Sequence, residues 1–335
     1  MRALVCRAFG DYRTAVSVEN VPEPVLPARG VRVAVDYASV SFAMSLWIAG
    51  KYQRKPPLPF TPGTEITGTV LETAPGVTAC KPGDRVLALL DWGGYAEQAC
   101  ATEHTVYKLP ENIDTGSALH LGISYGTAYG GLVWRASVQP GETLLVLGAS
   151  GAVGLAAVEL GKALGARVIG AAGGPAKCAQ ARAHGADVTI DYSAEDLREA
   201  VRAATNGRGV ECVFDPVGGE HFDAALRSLA LEGRLVSIGF ASGTIPQIPA
   251  NLLLVKSISV LGFNFGTYVG WSPGDGREQH EPRVRAAYQK IFTWAATGRL
   301  SPVLAESFPL ERYVEAQDAI MSRRALGKVA LKLRP

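Results

Sequence analysis

Surplus charge of either sign is almost missing from this sequence. Lys and Arg number 33 against 31 Asp and Glu, a formal net charge of +2 over 335 residues. So small an imbalance gives no strong attraction to nucleic acid or to an anionic membrane surface, and neither is the expected partner. Long apolar runs are absent too. No stretch reaches the roughly 18 consecutive apolar residues that a spanning helix needs. The opening MRALVCRAFGDY has no apolar segment of signal-peptide length, so a soluble, cytoplasmic protein is the expectation. Cysteine is scarce: Cys6, Cys80, Cys100, Cys178 and Cys212 lie far apart and form no C-x-x-C pair. That excludes a zinc knuckle or redox dithiol readable from spacing and leaves buried thiols as the plain reading.

What is present is a folding chain. Hydrophobic residues make up 47% and charged residues 19%, unlike the composition of disordered sequences. At about 100–200 residues per domain, the length points to two domains. Prolines are densest before residue 63, where seven of the 20 lie, whereas the glycines concentrate between 122 and 276.

Up to about residue 120 the sequence offers short β segments, VRVAVDYASV, EITGTVLETA, DRVLALL and GYAEQACA, separated by turn residues. Runs of this kind between Gly and Pro punctuation predict a barrel-like or sandwich-like β domain. From about residue 140 the rhythm changes. TLLVLG, RVIGAA, DVTIDY, VECVFD and RLVSIGF read as strands, and AVGLAAVELGKALG, AKCAQARAHG, AEDLREAVRAATN and EHFDAALRSLALEG between them have helical spacing. This alternation predicts right-handed βαβ units and a doubly wound parallel sheet, its strands poor in charge because both faces are buried. PRVRAAYQKIFTWAATG is a further helix candidate. The last strand, KVALKL, is predicted to return to the first domain.

TLLVLG runs directly into Gly148-Ala149-Ser150-Gly151-Ala152-Val153-Gly154 and a helix. A turn without β-carbons lets a pyrophosphate approach the backbone, and the helix N-terminus favours its charge. The spacing is G-x-x-G-x-x-G, a departure from the commoner G-x-G-x-x-G. A dinucleotide site is the reading; the alternative is a tight turn made for close helix packing. Binders of NAD carry an Asp or Glu after the second strand to hold the ribose hydroxyls. Here Ala171-Ala172-Gly173-Gly174-Pro175 stands in that place, with Lys177 just beyond, which favours NADPH. Lys177 is either a partner for the 2′-phosphate or an exposed helix residue. Tyr192, after the third strand, either covers that phosphate or packs at the sheet edge.

These residues carry a resemblance over essentially the whole chain. GKYQRKPPLPFTPGTEITGTV, LGISYGTAYGGL, LVLGASGAVGLAAVELGKALGARVIGAA, GADVTIDY, VFDPVGG and RALGKVAL occur in order. With them the chain is similar to the zinc-free quinone oxidoreductase (zeta-crystallin-like) branch of the medium-chain dehydrogenases/reductases. The resemblance implies a GroES-like β domain in residues 1–124, completed by the returning chain at 267–335, and a Rossmann NADPH-binding domain at 125–266. It implies NADPH in the cleft between them, reduction of a small-molecule quinone or other conjugated carbonyl, and a homodimer. For cofactor binding it points to Ser150, Gly151, Ala152, Val153 and Gly154, then to Gly173, Lys177 and Tyr192. It adds Val217, Gly239, Phe240 and Ala241, with Phe263 and Phe265 as a wall beside the nicotinamide, and Lys328 of RALGKVAL.

Zinc-dependent alcohol dehydrogenases of the same superfamily use two Cys and a His. At the corresponding places this chain has Ser41, Thr64 and no Cys near Gly122 or Ile123, so that only Glu65 remains and no metal is expected. A quinone or enone is already electrophilic and needs only position, exclusion of water and a hydrogen bond to its developing oxygen charge. The resemblance assigns catalytic places to Tyr52 as that donor, to Thr127 beside the nicotinamide carboxamide and to Ser41 where the branch usually has Asn. Tyr52 and Thr127 each have a plainer alternative, a packing or rim tyrosine and a helix cap, and Ser41, shorter than Asn, can still bond.

Two competing functions stay open. One is an enoyl-thioester (acrylyl-CoA type) reductase, with Arg54, Lys55 and Arg135 as candidates for a basic path. The other is an NADPH-binding structural or RNA-binding protein. His104 and His120 lack an ordered Asp and Ser partner and are not read as a triad. WSPGDGREQHEPR reads as a solvated loop. Ser257 to Gly262 reads as the last strand of the nucleotide domain, an edge that a second copy would cover.

Overall fold

The computed structural model describes residues 1–272 and 274–334; Pro273, within the expected solvated loop, and Pro335 lie outside the described residues. The chain forms two compact units. One comprises Met1–Ile123, Gly266–Thr297 and the stretch from Pro302 onward, and the other Ser124–Phe265 with Gly298–Ser301. No helix among the described residues is long and apolar enough to cross a membrane.

The first unit is mainly β. Its elements are β1 (Arg2–Cys6), β2 (Val16–Asn20), β3 (Gly30–Val40), α1 (Phe42–Ile48), β4 (Glu65–Thr73), β5 (Arg85–Leu89), β6 (Gln98–Thr102), β7 (Val106–Lys108) and α2 (Thr115–Leu121). The second unit follows with α3 (Ile123–Tyr129), β8 (Thr143–Leu147), α4 (Ala152–Ala163), β9 (Arg167–Ala172), α5 (Pro175–Ala183), β10 (Val188–Asp191), α6 (Leu197–Ala204) and β11 (Val210–Asp215). It continues through α7 (Glu220–Arg227), β12 (Leu229–Ser237), α8 (Ala250–Lys256) and β13 (Ser259–Gly262). The chain then returns as α9 (Arg277–Ala296), β14 (Leu304–Pro309), α10 (Tyr313–Met321) and β15 (Lys328–Lys332).

In the first unit a seven-stranded sheet runs β14-β15-β3-β4-β5-β7, with β6 pairing to β3 off that path. The returning strand β15 lies antiparallel to β3, Val329 opposite Val40 and Lys332 opposite Tyr37. Val31, Val33 and Val35 of β3 are fully buried, and between the first two Arg32 reaches out to Glu72. The spacing of the three valines is what a strand with one face on a core requires, and Ala34 between the last two is buried as well. The core also takes in Met44, Trp47, Ile66, Tyr95 and Tyr313.

In the second unit six parallel strands take the order β10-β9-β8-β11-β12-β13, a doubly wound arrangement that reverses direction beside β8. β8, β9 and β11 are buried almost throughout, which accounts for their largely apolar sequences. In such a fold the crevice beyond the strand ends at the reversal point is where ligands bind.

Three sequence expectations change. EHFDAALRSLALEG is not all helix: α7 ends at Arg227 and Leu229 already begins β12. The register slips between Val210 and Cys212 of β11, with Glu232 of β12 at φ 60°, so the strand bulges through residues that look helical in sequence. The last strand starts at Ser259 rather than Ser257, because Ser257 sits in the left-handed region (φ 51°) as the C-cap of α8. The solvated loop is in part helix. α9 opens at Arg277, whose side chain is 8% exposed and paired with Asp91 (2.7 Å) and Asp275 (2.8 Å).

Candidate active site

In the second unit, Gly148 leaves β8 at φ 59°, where a β-carbon is strained. A β-carbon on Gly154 would overlap the Gly148 carbonyl and come within 2.9 Å of Ala149 Cα, so Gly154 is what lets α4 start so close to the strand end. Gly151 differs. A β-carbon there would meet nothing nearer than the Gly148 oxygen at 3.6 Å, which leaves its outer side open. As N-cap of α4 it supplies no side-chain acceptor, and the first turn of α4 holds no acidic residue. The positive end of a twelve-residue helix is therefore left without an anion of its own. Ser150 beside it is buried, and Ala152 and Val153 form the start of the first turn.

At the end of β9 the chain turns through Gly173 and Gly174 (φ 100°) into α5, with Pro175 at its start. Lys177 is half-buried on the first turn. A β-carbon on Gly173 would lie 3.1 Å from the ring of Tyr192, which itself lies along His221 with centroids 4.1 Å apart. Lys177, Gly173 and Tyr192 thus gather at one turn. The structure adds a residue that sequence reasoning missed. Asp191 is level with Ala172 across the parallel pair β9–β10, and its Oδ1 accepts the Gly174 N–H at 2.8 Å. A carboxylate therefore does stand at this turn, supplied by the third strand rather than the second. Its signal shows only when DVTID is set in parallel beside VIGAA, which brings Asp191 level with Ala172.

Beyond β11, Asp215 is fully buried and its Oδ1 accepts the N–H groups of Val217 (2.7 Å) and Gly218 (2.9 Å). Its Oδ2 is buried without a partner, and burial raises the pKa of the carboxyl. A β-carbon on Gly148 would lie 2.9 Å from Val217, so this turn adjoins the first. The loop after β12 is tied to it: Ala241 N–H donates to the Pro216 carbonyl (3.2 Å) and Ser242 N–H to that of Val217 (2.9 Å). Gly239 and the 39%-exposed Phe240 lie on the same loop. Phe263 and Phe265 are both buried with centroids 6.5 Å apart, and Phe263 occupies the space a side chain on Gly130 would need.

Thr127 lies buried within α3 and is not a helix cap. α3 is fixed by Tyr125, whose hydroxyl donates to Glu159 (2.5 Å). Glu159 also meets His184 Nδ1 (2.5 Å) and accepts the Ser301 N–H (2.8 Å). This buried network ties α3 to α4 and to the end of α5.

In the first unit, the half-buried Tyr52 stacks on Trp47, centroids 4.9 Å apart, and burial raises its phenol pKa. Arg54 on the same loop donates to Asp91 (2.7 Å) and to the Gly270 carbonyl (2.8 Å). Ser41 precedes α1 with no side-chain capping bond, and its carbonyl accepts Gln317 Nε2 at 3.1 Å. Glu65 is 0% exposed: its Oε2 meets Lys328 Nζ at 2.5 Å and its Oε1 accepts the Ile123 N–H at 2.5 Å. Lys328, placed by resemblance among the cofactor contacts, is 4% exposed with its ammonium held by Glu65. His104 pairs with Glu281, and fully buried His120 accepts the Val303 N–H. Arg135, in the second unit, donates to the Gly262 carbonyl at 3.1 Å.

A zinc ion needs three protein donors and an open position. Ser41 and Thr64 are poor donors, and the one carboxylate, Glu65, is committed to a lysine and an amide. This set does not fit zinc, and among the described residues no other group of His, Cys, Asp or Glu is arranged to hold a metal. A dinucleotide fits the second unit better: a helix start with no acidic residue in its first turn, an open glycine and a lysine stand around adjoining strand ends.

Comparison with known proteins agrees. Residues 27–111 match the alcohol dehydrogenase GroES-like domain, and residues 152–278 match the zinc-binding dehydrogenase family. The chain is 42% identical to quinone oxidoreductase-like protein 2 of Bos taurus, over 99% of this chain and 93% of that protein. It is 30% identical to the quinone oxidoreductase of Homo sapiens, over 99% and 98%. The chain belongs to the zinc-free quinone oxidoreductase family of medium-chain dehydrogenases/reductases. Among solved structures it is similar to Escherichia coli quinone oxidoreductase complexed with NADPH (TM-score 0.89, 26% identity, 99% of this chain and 100% of that one). The quinone oxidoreductase of Pseudomonas syringae superposes as well (TM-score 0.89, 28% identity, 99% of both chains). Membership makes the fold a GroES-like domain with a Rossmann domain, and the protein an oxidoreductase of that family.

The buried pair can be tested directly. Lys328→Met leaves the Glu65 charge uncompensated and is expected to cost about 3–5 kcal/mol of stability. Adding Glu65→Gln is expected to recover much of that loss. Denaturant unfolding of both singles and the double closes the cycle, and additive losses would deny the pair.

Proposed function

We propose that the chain is an NADPH-dependent reductase of quinones or enones that works without zinc. One observation carries the reading: at the place of the zinc ligands the only carboxylate is neutralised by a buried lysine. Without a Lewis acid to polarise it, a simple ketone is a poor acceptor, whereas a conjugated carbonyl accepts hydride readily. Bound NADPH supplies that hydride.

The chain's own residues supply position and charge. The N-terminus of α4, from Ser150 to Gly154, holds the pyrophosphate, and Lys177 with Tyr192 and Gly173 holds the 2′-phosphate. Val217, Gly239, Phe240 and Ala241 line the middle of the cofactor. Phe263, Phe265 and Thr127 confine the nicotinamide. Tyr52 donates a hydrogen bond to the acceptor oxygen as charge develops there, the phenol remaining protonated because burial raises its pKa. Ser41 adds a polar group on the acceptor side. Arg54 and Arg135 are both engaged by other groups of the protein, which weighs against a basic path for a CoA nucleotide.

Steady-state oxidation of NADPH against quinones, alkenals and acrylyl-CoA tests the reading. Turnover with the first two classes is expected, and turnover confined to acrylyl-CoA would refute it. Lys177→Ala is expected to weaken NADPH by about 1–3 kcal/mol and to leave NADH nearly unchanged, by calorimetry. Tyr52→Phe is expected to lower kcat on an enone by up to about 10²–10³-fold with NADPH affinity retained, and an unchanged kcat would assign Tyr52 to packing.

We also propose a homodimer. β13 pairs with β12 along one side only among the described residues, and the neighbouring α8 exposes Leu254 (81%) and Val255 (77%). A second β13, antiparallel, would pair the open edge and cover this apolar surface. Sedimentation is expected to show a dimer that Val260→Pro disrupts; a wild-type monomer at micromolar concentration would contradict it.

A further inference from the structure

We infer that Asp191 sets how strongly the protein discriminates between phosphorylated and unphosphorylated nicotinamide nucleotides. The inference rests on the nucleotide reading above and adds a determinant that acts against Lys177. In a doubly wound fold the ribose of the adenosine half is read at the end of the second strand. That strand, β9, ends in Ala172 and offers no acid, but β10 lies beside it in register, with Asp191 opposite Ala172.

The carboxylate of Asp191 is held at this turn. Its Oδ1 accepts the Ser193 hydroxyl (2.5 Å) and N–H (3.0 Å) and the Gly174 N–H (2.8 Å). The Ser193 hydroxyl first, and then the Gly174 N–H, hold the group below the usual carboxylate range, so it is an anion at neutral pH. Two consequences follow for a ligand. The start of α5 lacks two donors, because the Gly174 N–H is taken and Pro175 has none. A 2′-phosphate brought to this turn depends on Lys177 and Tyr192 while it meets the charge of Asp191. A free 2′-hydroxyl meets no such repulsion, and it can donate to Oδ2, since every hydrogen bond given to this carboxylate by the described residues falls on Oδ1.

Asp191 thus favours the unphosphorylated ribose and Lys177 the phosphorylated one, and the cofactor preference is the difference between them. Asn at this position keeps the acceptor for Gly174 and Ser193 and removes the charge. Calorimetric titration of wild type, Asp191→Asn and Asp191→Glu with NADPH and with NADH, at physiological ionic strength, tests this. In Asp191→Asn the ratio of the NADH to the NADPH dissociation constant is expected to rise about two- to fivefold, the scale of a screened, exposed charge. Asp191→Glu, which keeps the charge, is expected to stay near the wild-type ratio, and an unaltered melting temperature shows that each variant is folded. An unchanged ratio in a folded Asn variant that binds both nucleotides would overturn the inference and leave the nucleotide reading standing. Failure of the wild type to bind either nucleotide would overturn both.

Discussion

The Gly148 carbonyl occupies the space that a side chain on residue 154 would fill, and the nucleotide unit depends on that close approach. It lets α4 begin immediately above the end of β8 and lie flat on the sheet. The same demand recurs along the helix. A β-carbon on Gly161 would come within 2.7 Å of Leu144 and 2.9 Å of Val168, and one on Gly170 within 3.2 Å of Ala149, Ala181 and Ala186. Small residues at these points set the distance between helix and strands, and packing at interior density makes that distance hard to change. The helix start lies beside the end of β8 as a result, with space open at Gly151 and no acidic residue in the first turn of α4.

The first unit is organised around buried charge. Glu65 and Lys328, at 0% and 4% exposure, come from strands far apart in sequence, and Glu65 also holds the amide that begins α3. Removing two charges from water is costly, and a hydrophobic pair of the same volume is often as stable. The chemical effect of the pair is to commit the Glu65 carboxylate to a lysine. A side chain on Gly122 would collide with that carboxylate, so the turn between α2 and α3 is shaped to the pair.

Much of the architecture was legible in the sequence. The inner strands of the second unit are largely apolar because both faces are covered, and the glycine spacing after TLLVLG marks the turn. What escaped depends on partners distant in sequence. Asp191 matters because β10 aligns with β9, and nothing local to DVTIDY says so. Lys328 in RALGKVAL is placed by resemblance among the cofactor contacts, and nothing local to it points to Glu65, 263 positions away, which holds its ammonium. REQHEPR looks like a solvated loop because its polar residues suggest water, whereas Arg277 is buried against Asp91 and Asp275. LALEG looks helical by composition, and strand pairing with a bulge overrides that preference.

The central claim is that the start of α4 and the adjoining strand ends receive a phosphorylated nicotinamide nucleotide. Amide hydrogen exchange read by mass spectrometry, with and without NADPH, tests it without relying on turnover. Slower exchange is expected in the segments holding Gly151 to Gly154 and Gly173 to Lys177 when NADPH is present. Unaltered exchange in both segments at saturating NADPH, or protection confined to other parts of the chain, would contradict it.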